Sequence, residues 1–256
     1  MRDGKPRHPP ILIYHATSDV EVPGRVSGRR MFERQMRYLL EHGYKSLTPP
    51  QFLEALDDPE AASEKSVFIT FDDGYLDFYE NAFPVLAELS MTATVFVITG
   101  VAGGKTGLWS GPAPHGILPL LSWPQIEEMT RAGISFESHS HTHAEMSKLS
   151  PAEMAEEAGK SKRILEERLG TPVRLFAYPY GDFNEAAKKA VAETGYEAGL
   201  AWASRGLDRF ELRRRSVPPA RTLIPFPLRL SPAYYAFRSV GRILPVHRWV
   251  RPSSAE

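Results

Sequence analysis

The chain has 256 residues, with 31 Lys plus Arg balanced by 31 Asp plus Glu, and no cysteine. A formal charge of zero argues against a nucleic-acid-binding surface, which needs a cationic excess that survives salt. The absence of cysteine excludes disulfides, thiolate metal sites and a cysteine nucleophile.

A composition of 42% hydrophobic and 24% charged residues is that of an ordinary folded protein. No window approaches the roughly 20 apolar residues of a membrane span. The basic start MRDGKPRHPP leads into an apolar run, ILIY, too short for a secretory leader, so the expected location is cytoplasmic or peripheral to a membrane.

In chain order, Ile11 to Tyr14 reads as a short buried strand ending at His15. Ser27 can cap a helix in which Phe32, Met36, Leu39 and Leu40 recur at helical spacing, with Gly43 as its stop. Lys45 to Leu47 reads as strand and Pro50 to Leu56 as a short helix. The β-branched and aromatic run Val67 to Phe71 is the clearest strand, and it breaks at Asp72-Asp73-Gly74. A helix carrying Phe83, Leu86 and Leu89 follows, then the strand Thr94 to Ile98. The Gly- and Pro-rich stretch 99–121 reads as a long loop, after which Ser122 caps a helix through Met129. Gly133 ends that helix before the strand Ile134 to Phe136. Ser150-Pro151-Ala152-Glu153 is a capping box with proline at the first helical position, which predicts a long helix to Leu169. Leu175 to Tyr178 is strand, Asn184 to Thr194 helix and Tyr196 to Ala201 strand.

Strands that are continuous apolar runs, alternating with helices, imply parallel strands buried on both faces, in a β/α barrel or a doubly wound sheet. No linker divides residues 1–220. The stretch 221–256 is different in kind, with six arginines, no lysine and a single acid, Glu256. It reads as an extension in which Ser231-Pro232 starts a helix with Ala233, Phe237, Val240 and Leu244 on one face. That helix either closes the domain, with its arginines in water, or docks on a membrane surface or a partner.

Three of the eight histidines fall in His139-Ser140-His141-Thr142-His143, directly after a strand. Imidazoles at such density suit a borderline cation such as zinc. If the segment turns helically, His139 and His143 share a face; if it stays extended, all three do. Asp72 and Asp73, at the carboxyl end of an apolar strand, repel one another unless a cation or proton takes up charge. One of them can complete a two-His, one-carboxylate site while the other takes a proton from metal-bound water. The turn Tyr178-Pro179-Tyr180-Gly181 can aim a backbone N–H at an oxyanion.

TFDDG, then a His-x-x-x-His segment, then a PYG turn resembles the polysaccharide deacetylases, carbohydrate esterase family 4, over roughly residues 11–218. The resemblance implies a distorted (β/α) barrel of about seven parallel strands and metal-dependent removal of N-acetyl groups, released as acetate, from an N-acetylglucosamine-type glycan or glycolipid, with a glycan-synthesis partner or a membrane surface as the expected contact of 221–256. It also implies Asp72 as catalytic base, Asp73, His139 and His143 as metal ligands, and the Tyr180 N–H as oxyanion donor. Zinc is the expected cation, with cobalt or nickel as alternatives.

Two departures stand out. The arginine that orients the base in that family is Ala177 here, with Arg174, Arg213, Arg214 and Arg215 as candidate replacements. The C-terminal Leu-x-x-His segment is missing, and His247 lacks a strand context. The chain instead opens with a strand ending in His15, which resembles the rearranged subgroup that includes the poly-N-acetylglucosamine deacetylases and implies His15 as general acid. Trp123, Tyr178 and Pro179 are the expected substrate contacts; Trp109 and Trp202, like Trp123, can offer apolar platforms to a sugar ring, with buried core as the commoner role for any one of them. The rival readings are a hydrolase of a small cyclic amide or ureide, and a non-catalytic glycan-binding domain suggested by the missing arginine.

Overall fold

The computed structural model describes residues 8–17, 28–103, 119–202, 204, 208–217, 225–232 and 234. The elements in order are β1 (Ile11–Tyr14), α1 (Arg29–Glu41), β2 (Lys45–Ser46), α2 (Pro49–Asp57), β3 (Ser66–Phe71), a π-helical turn (Phe78–Ala82) running into α3 (Phe83–Glu88), and β4 (Thr94–Val97). They continue with α4 (Trp123–Arg131), β5 (Ser135–Ser138), α5 (Pro151–Leu169), β6 (Leu175–Ala177), α6 (Glu185–Glu193), β7 (Ala198–Ala201), β8 (Leu212–Arg213), β9 (Arg215–Ser216) and α7 (Phe226–Leu230).

All strand pairings are parallel, in the order β8-β7-β6-β5-β4-β3-β1-β9, with β2 joined to β3 alone. β8 and β9 are two halves of one extended segment. The first half pairs with β7 through Leu200 and Leu212, and the second pairs with β1 through Leu12 and Arg215. That segment closes the sheet on itself, so the described residues form a ring of seven strands, as expected.

Side-chain parity divides the interior into two cores. Val67, Ile69 and Phe71 of β3 face outward into a layer shared with Phe32, Met36 and Leu39 of α1, Leu86 of α3 and Leu165 of α5. Phe68 faces inward and meets Ile11, Phe96, Leu175, Leu200 and Leu212 from the other strands. Phe52 and Leu53 of α2 join that inner set, and the Phe52 ring stacks on Phe68 at 4.2 Å. α2 therefore plugs one end of the barrel, and the carboxyl ends of the strands surround the other, where β/α barrels place their chemistry.

Helix boundaries follow their caps. Ser150 accepts from the Glu153 N–H while Glu153 accepts from the Ser150 N–H, and Gly170 closes α5 in the left-handed region at φ 65°. α1 starts after Gly28, and the Ser27 cap expected for it lies outside the described residues. β5 runs to Ser138, two residues beyond the expected end at Phe136, because Thr94 to Val97 continue to pair with Ser135 to Ser138.

At the C-terminal side the structure departs from expectation. A short helix, α7, precedes Ser231, which is its C-cap. Arg229 is not in water: it is 4% exposed and bonds to the Ser216 carbonyl, while Arg215 bonds to the Arg229 carbonyl. The face carrying Ala233, Phe237, Val240 and Leu244 lies outside the described residues, as do Trp109, His247 and most of the loop after β4. Among the described residues no helix is long and apolar enough to cross a membrane.

Candidate metal centre and catalytic rim

Parity also decides what reaches the rim. Counting inward-facing positions along β3, Phe68 and Thr70 lead to Asp72; along β5, Glu137 leads to His139; along β1, Ile11 and Ile13 lead to His15. All three sit at the carboxyl ends of their strands, and β1 lies beside β3, with Tyr14 opposite Phe71. The Asp72 N–H extends this ladder by donating to the Tyr14 carbonyl at 3.1 Å.

Directly after Asp72 the backbone turns sharply, with Asp73 and Gly74 both at φ 72°. Glycine is required at the second position, since a Cβ there would lie 2.9 Å from Val97 Cγ1. The turn brings Asp73 Oδ1 to 3.4 Å from Nε2 of His139 and 3.4 Å from Nε2 of His143. These three side chains are buried, and their ligand atoms lie within 4.8 Å of one another. A tetrahedral cation with bonds of ~2.0–2.1 Å separates its ligand atoms by about 3.4 Å, so the donor set and its spacing fit a zinc-like ion. The second nitrogen of His139, Nδ1, faces the Ala177 carbonyl at 2.8 Å, which turns Nε2 inward, as a donor to Asp73 when the ring is protonated and as a lone pair for a cation when it is neutral.

Two carboxylates this deep need compensation. Burial by itself would raise the Asp73 carboxyl, but hydrogen bonds from His139 and His143 and the charge of His15 hold it well below the usual carboxylate range. Burial likewise opposes ionisation of Asp72; the Arg214 charge and its hydrogen bonds, with His139 and His15, outweigh it and keep that carboxyl below its ordinary value. The His139 imidazole is pushed down by burial but held above the ordinary histidine value by Asp72, Asp73 and the Ala177 carbonyl.

Of the candidate replacements for the motif arginine, Arg214 is the one that meets Asp72. It is 1% exposed and forms a two-pronged bridge to Asp72, with Nη1 to Oδ1 at 2.6 Å and Nη2 to Oδ2 at 2.7 Å. Its position at the break between β8 and β9 lets it reach into the barrel. The other candidates point elsewhere: Arg174 pairs with Glu197 at 2.8 Å, and Arg215 turns to α7. Recognising 212–216 as a strand would have selected Arg214 by parity alone. Glu137, a buried inward-facing acid, also went unread in the sequence. It accepts from the Arg174 and Leu175 N–H groups at 2.8 and 2.7 Å.

The remaining expected site residues divide. Tyr180 sits at the rim in the left-handed region at φ 60°, with its ring 4.5 Å from that of His143 and 48% exposed. Tyr178 faces outward into the helix layer: it is fully buried against Phe176 and Phe183, so its ring is not presented to a substrate. Pro179 is buried as well. Trp123, in the first turn of α4, has the Arg168 guanidinium 4.5 Å over its ring and packs against the outer core. Trp202, at the end of β7, is 38% exposed and backs directly onto Gly181 of the PYG turn. His141 turns away from the triad, and its Nδ1 lies 3.0 Å from Thr99 Oγ1.

Known proteins are similar to this chain in sequence and in fold. The putative polysaccharide deacetylase YxkH of Bacillus subtilis is 36% identical over 226 residues, covering 86% of this chain and 75% of that protein. The poly-beta-1,6-N-acetyl-D-glucosamine N-deacetylase of Staphylococcus aureus is 29% identical over 199 residues, 74% of this chain and 66% of its own length. Among solved structures, the Streptococcus pyogenes deacetylase PplD in complex with acetate superposes with a TM-score of 0.73 at 29% identity, covering 84% of this chain and 94% of that one. IcaB from Ammonifex degensii gives 0.69 at 28% identity, covering 87% and 95%. The polysaccharide deacetylase family profile matches residues 60–199, which hold Asp72, Asp73, His139, His143 and Tyr180, while His15 and Arg214 fall outside that span. With more than half its length matched by that profile and a barrel rim that carries the corresponding acids and histidines, the chain belongs to the polysaccharide deacetylase family.

Proposed function

We propose that the protein is a metal-dependent N-deacetylase acting on an N-acetylglucosamine-type glycan and releasing acetate. The observation that carries the reading is the convergence of Asp73, His139 and His143 on one point, beside an Asp72 held ionised by Arg214. A divalent cation on those three residues, zinc first with cobalt or nickel as alternatives, would polarise the acetyl carbonyl and acidify a water.

Asp72 is the base. Its carboxylate takes the proton from the water as the oxygen attacks the acetyl carbon, and the Arg214 bridge fixes its direction. The Tyr180 N–H is assigned to the oxyanion that develops on the carbonyl. His15, at the end of the neighbouring strand, is assigned as the acid that protonates the departing amine as the C–N bond breaks. Acetate leaves, and the sugar keeps a free amine.

The glycan preference draws on the named substrate of the Staphylococcus aureus relative and on the exposed rings of Trp202 and Tyr180 at the rim, which offer apolar faces to a pyranose. Arg214 answers the missing motif arginine that prompted the non-catalytic reading.

The test is acetate release from β-1,6-linked N-acetylglucosamine oligomers with zinc or cobalt supplied. Asp73→Ala is expected to lose both cation binding and turnover. His15→Ala is expected to keep the cation and slow turnover by about 10²–10⁴-fold. Wild-type rates in Asp73→Ala with metal still bound would sink the centre as drawn, and full turnover in His15→Ala would move the acid elsewhere.

A further inference from the structure

Four consecutive N–H groups of the histidine loop donate to side chains rather than to main-chain carbonyls. Ser140 donates to Ser138 Oγ at 3.3 Å and His143 to Ser140 Oγ at 2.9 Å. Between them, His141 and Thr142 both donate to Glu157 Oε2, at 3.0 and 2.8 Å, and the Thr142 hydroxyl donates to Oε1 at 2.8 Å. Glu157 is the acceptor in this set that comes from outside segment 138–143.

The loop needs such a hold. Ser140 and His143 lie at φ 63° and 65°, in a region that residues with a side chain leave unless their surroundings over-determine it. Glu157 is well placed to supply it. It lies one turn before Ser161 on α5, and the Ser161 hydroxyl meets Ser138 Oγ at 2.7 Å, so one helix face grips both the end of β5 and the turn beyond it. α5 is fixed in turn by Met154, Ala158 and Leu165, which are buried in the outer core.

We propose that Glu157 is a positioning residue for the divalent cation: by binding the His141 and Thr142 amides it sets the turn that aims His139 and His143 at a common point. The carboxylate touches neither substrate nor cation. It acts through the backbone, and it holds His141 out of the ligand set. The proposal rests on the metal centre described under Proposed function.

The experiment measures zinc affinity of the purified, metal-stripped chain by competition with a chromophoric chelator, together with the visible absorption of the cobalt form. Glu157→Ala, and Glu157→Asp, which keeps the charge but falls one methylene short, are expected to bind zinc about 10–100-fold more weakly and to alter the cobalt bands. Glu157→Gln, whose amide oxygen can still accept both N–H groups, is expected to come within about threefold of wild type. Glu156→Ala, on the exposed side of the same turn, is expected to leave affinity unchanged.

Wild-type affinity and an unchanged cobalt spectrum in Glu157→Ala or Glu157→Asp would overturn the proposal; if the alanine variant does not fold, the aspartate variant decides. A wild-type chain that binds neither ion removes the metal centre itself, whereas a metal-binding wild type with unperturbed variants removes only the role of Glu157.

Discussion

Asp72 and Arg214 are 142 positions apart in sequence, yet they form a buried, two-pronged ion pair. Both are almost fully buried, so each depends on the other: an arginine left alone in the barrel, or a lone carboxylate, carries a desolvation cost of several kcal/mol. Arg214→Met is therefore expected to lower unfolding free energy by about 3–5 kcal/mol, measured by urea titration. It is also expected to reduce turnover while the zinc affinity of the Asp73, His139 and His143 set persists. Removing the positive charge lets the Asp72 carboxyl rise, so the acid limb of the rate profile should move to higher pH. An unmoved acid limb in a folded variant would mean that Arg214 does not control the base.

At the scale of elements, the weak seam of the barrel lies between β5 and β6, which pair through Ser138 and Phe176 alone. Glu137 stitches the seam from inside by accepting from the Arg174 and Leu175 N–H groups with one carboxyl oxygen. Burial dominates its titration and pushes the carboxyl up to about 8, against the downward pull of those two amides and of Lys162 and Arg174. Its folded-state value thus lies above the ordinary 4.5. The stability it contributes is full below that ordinary value and is lost as pH rises through about 8. Glu137→Gln keeps an acceptor for both amides and carries no charge. It is expected to melt above wild type at pH 9, by about 2–4 °C for each kcal/mol recovered, with the gap closing toward pH 5. A gap that does not depend on pH would show that the acid is ionised throughout.

Across the whole molecule, closure is achieved at two places. The segment 212–216 hands over from β7 to β1 and shuts the ring, and α2 seals the end opposite the metal centre. Phe52 is the seal's largest side chain, fully buried and stacked on Phe68. Phe52→Ala empties the inner core at that end and is expected to cost about 3–5 kcal/mol, read as a lower denaturant midpoint. The zinc affinity of the distant rim should be retained in the folded fraction. Loss of zinc binding at denaturant concentrations where the variant is still folded would show that the two ends are coupled through the barrel.

Much of this architecture was legible in the chain itself. The uninterrupted apolar run 67–71 can satisfy its side chains only when both faces are covered, and the capping box at Ser150 fixes where α5 starts. The acids at 72–73 and the histidines at 139 and 143 announce a cation because such groups are costly together without one. Other features depended on assembly in space. Tyr178 reads as a rim residue next to Pro179, but strand parity sends it outward into the helix layer. Among four candidate arginines, only the handover between β8 and β9 points one of them, Arg214, at Asp72. Glu157 and Glu137 look like surface and strand acids in a string of letters, and their partners are backbone amides brought near by the fold. Local patterns determine which residues are buried and which are chemically costly; the ring closure, which pairs strands far apart in sequence, decides which of those costs are met by which partner.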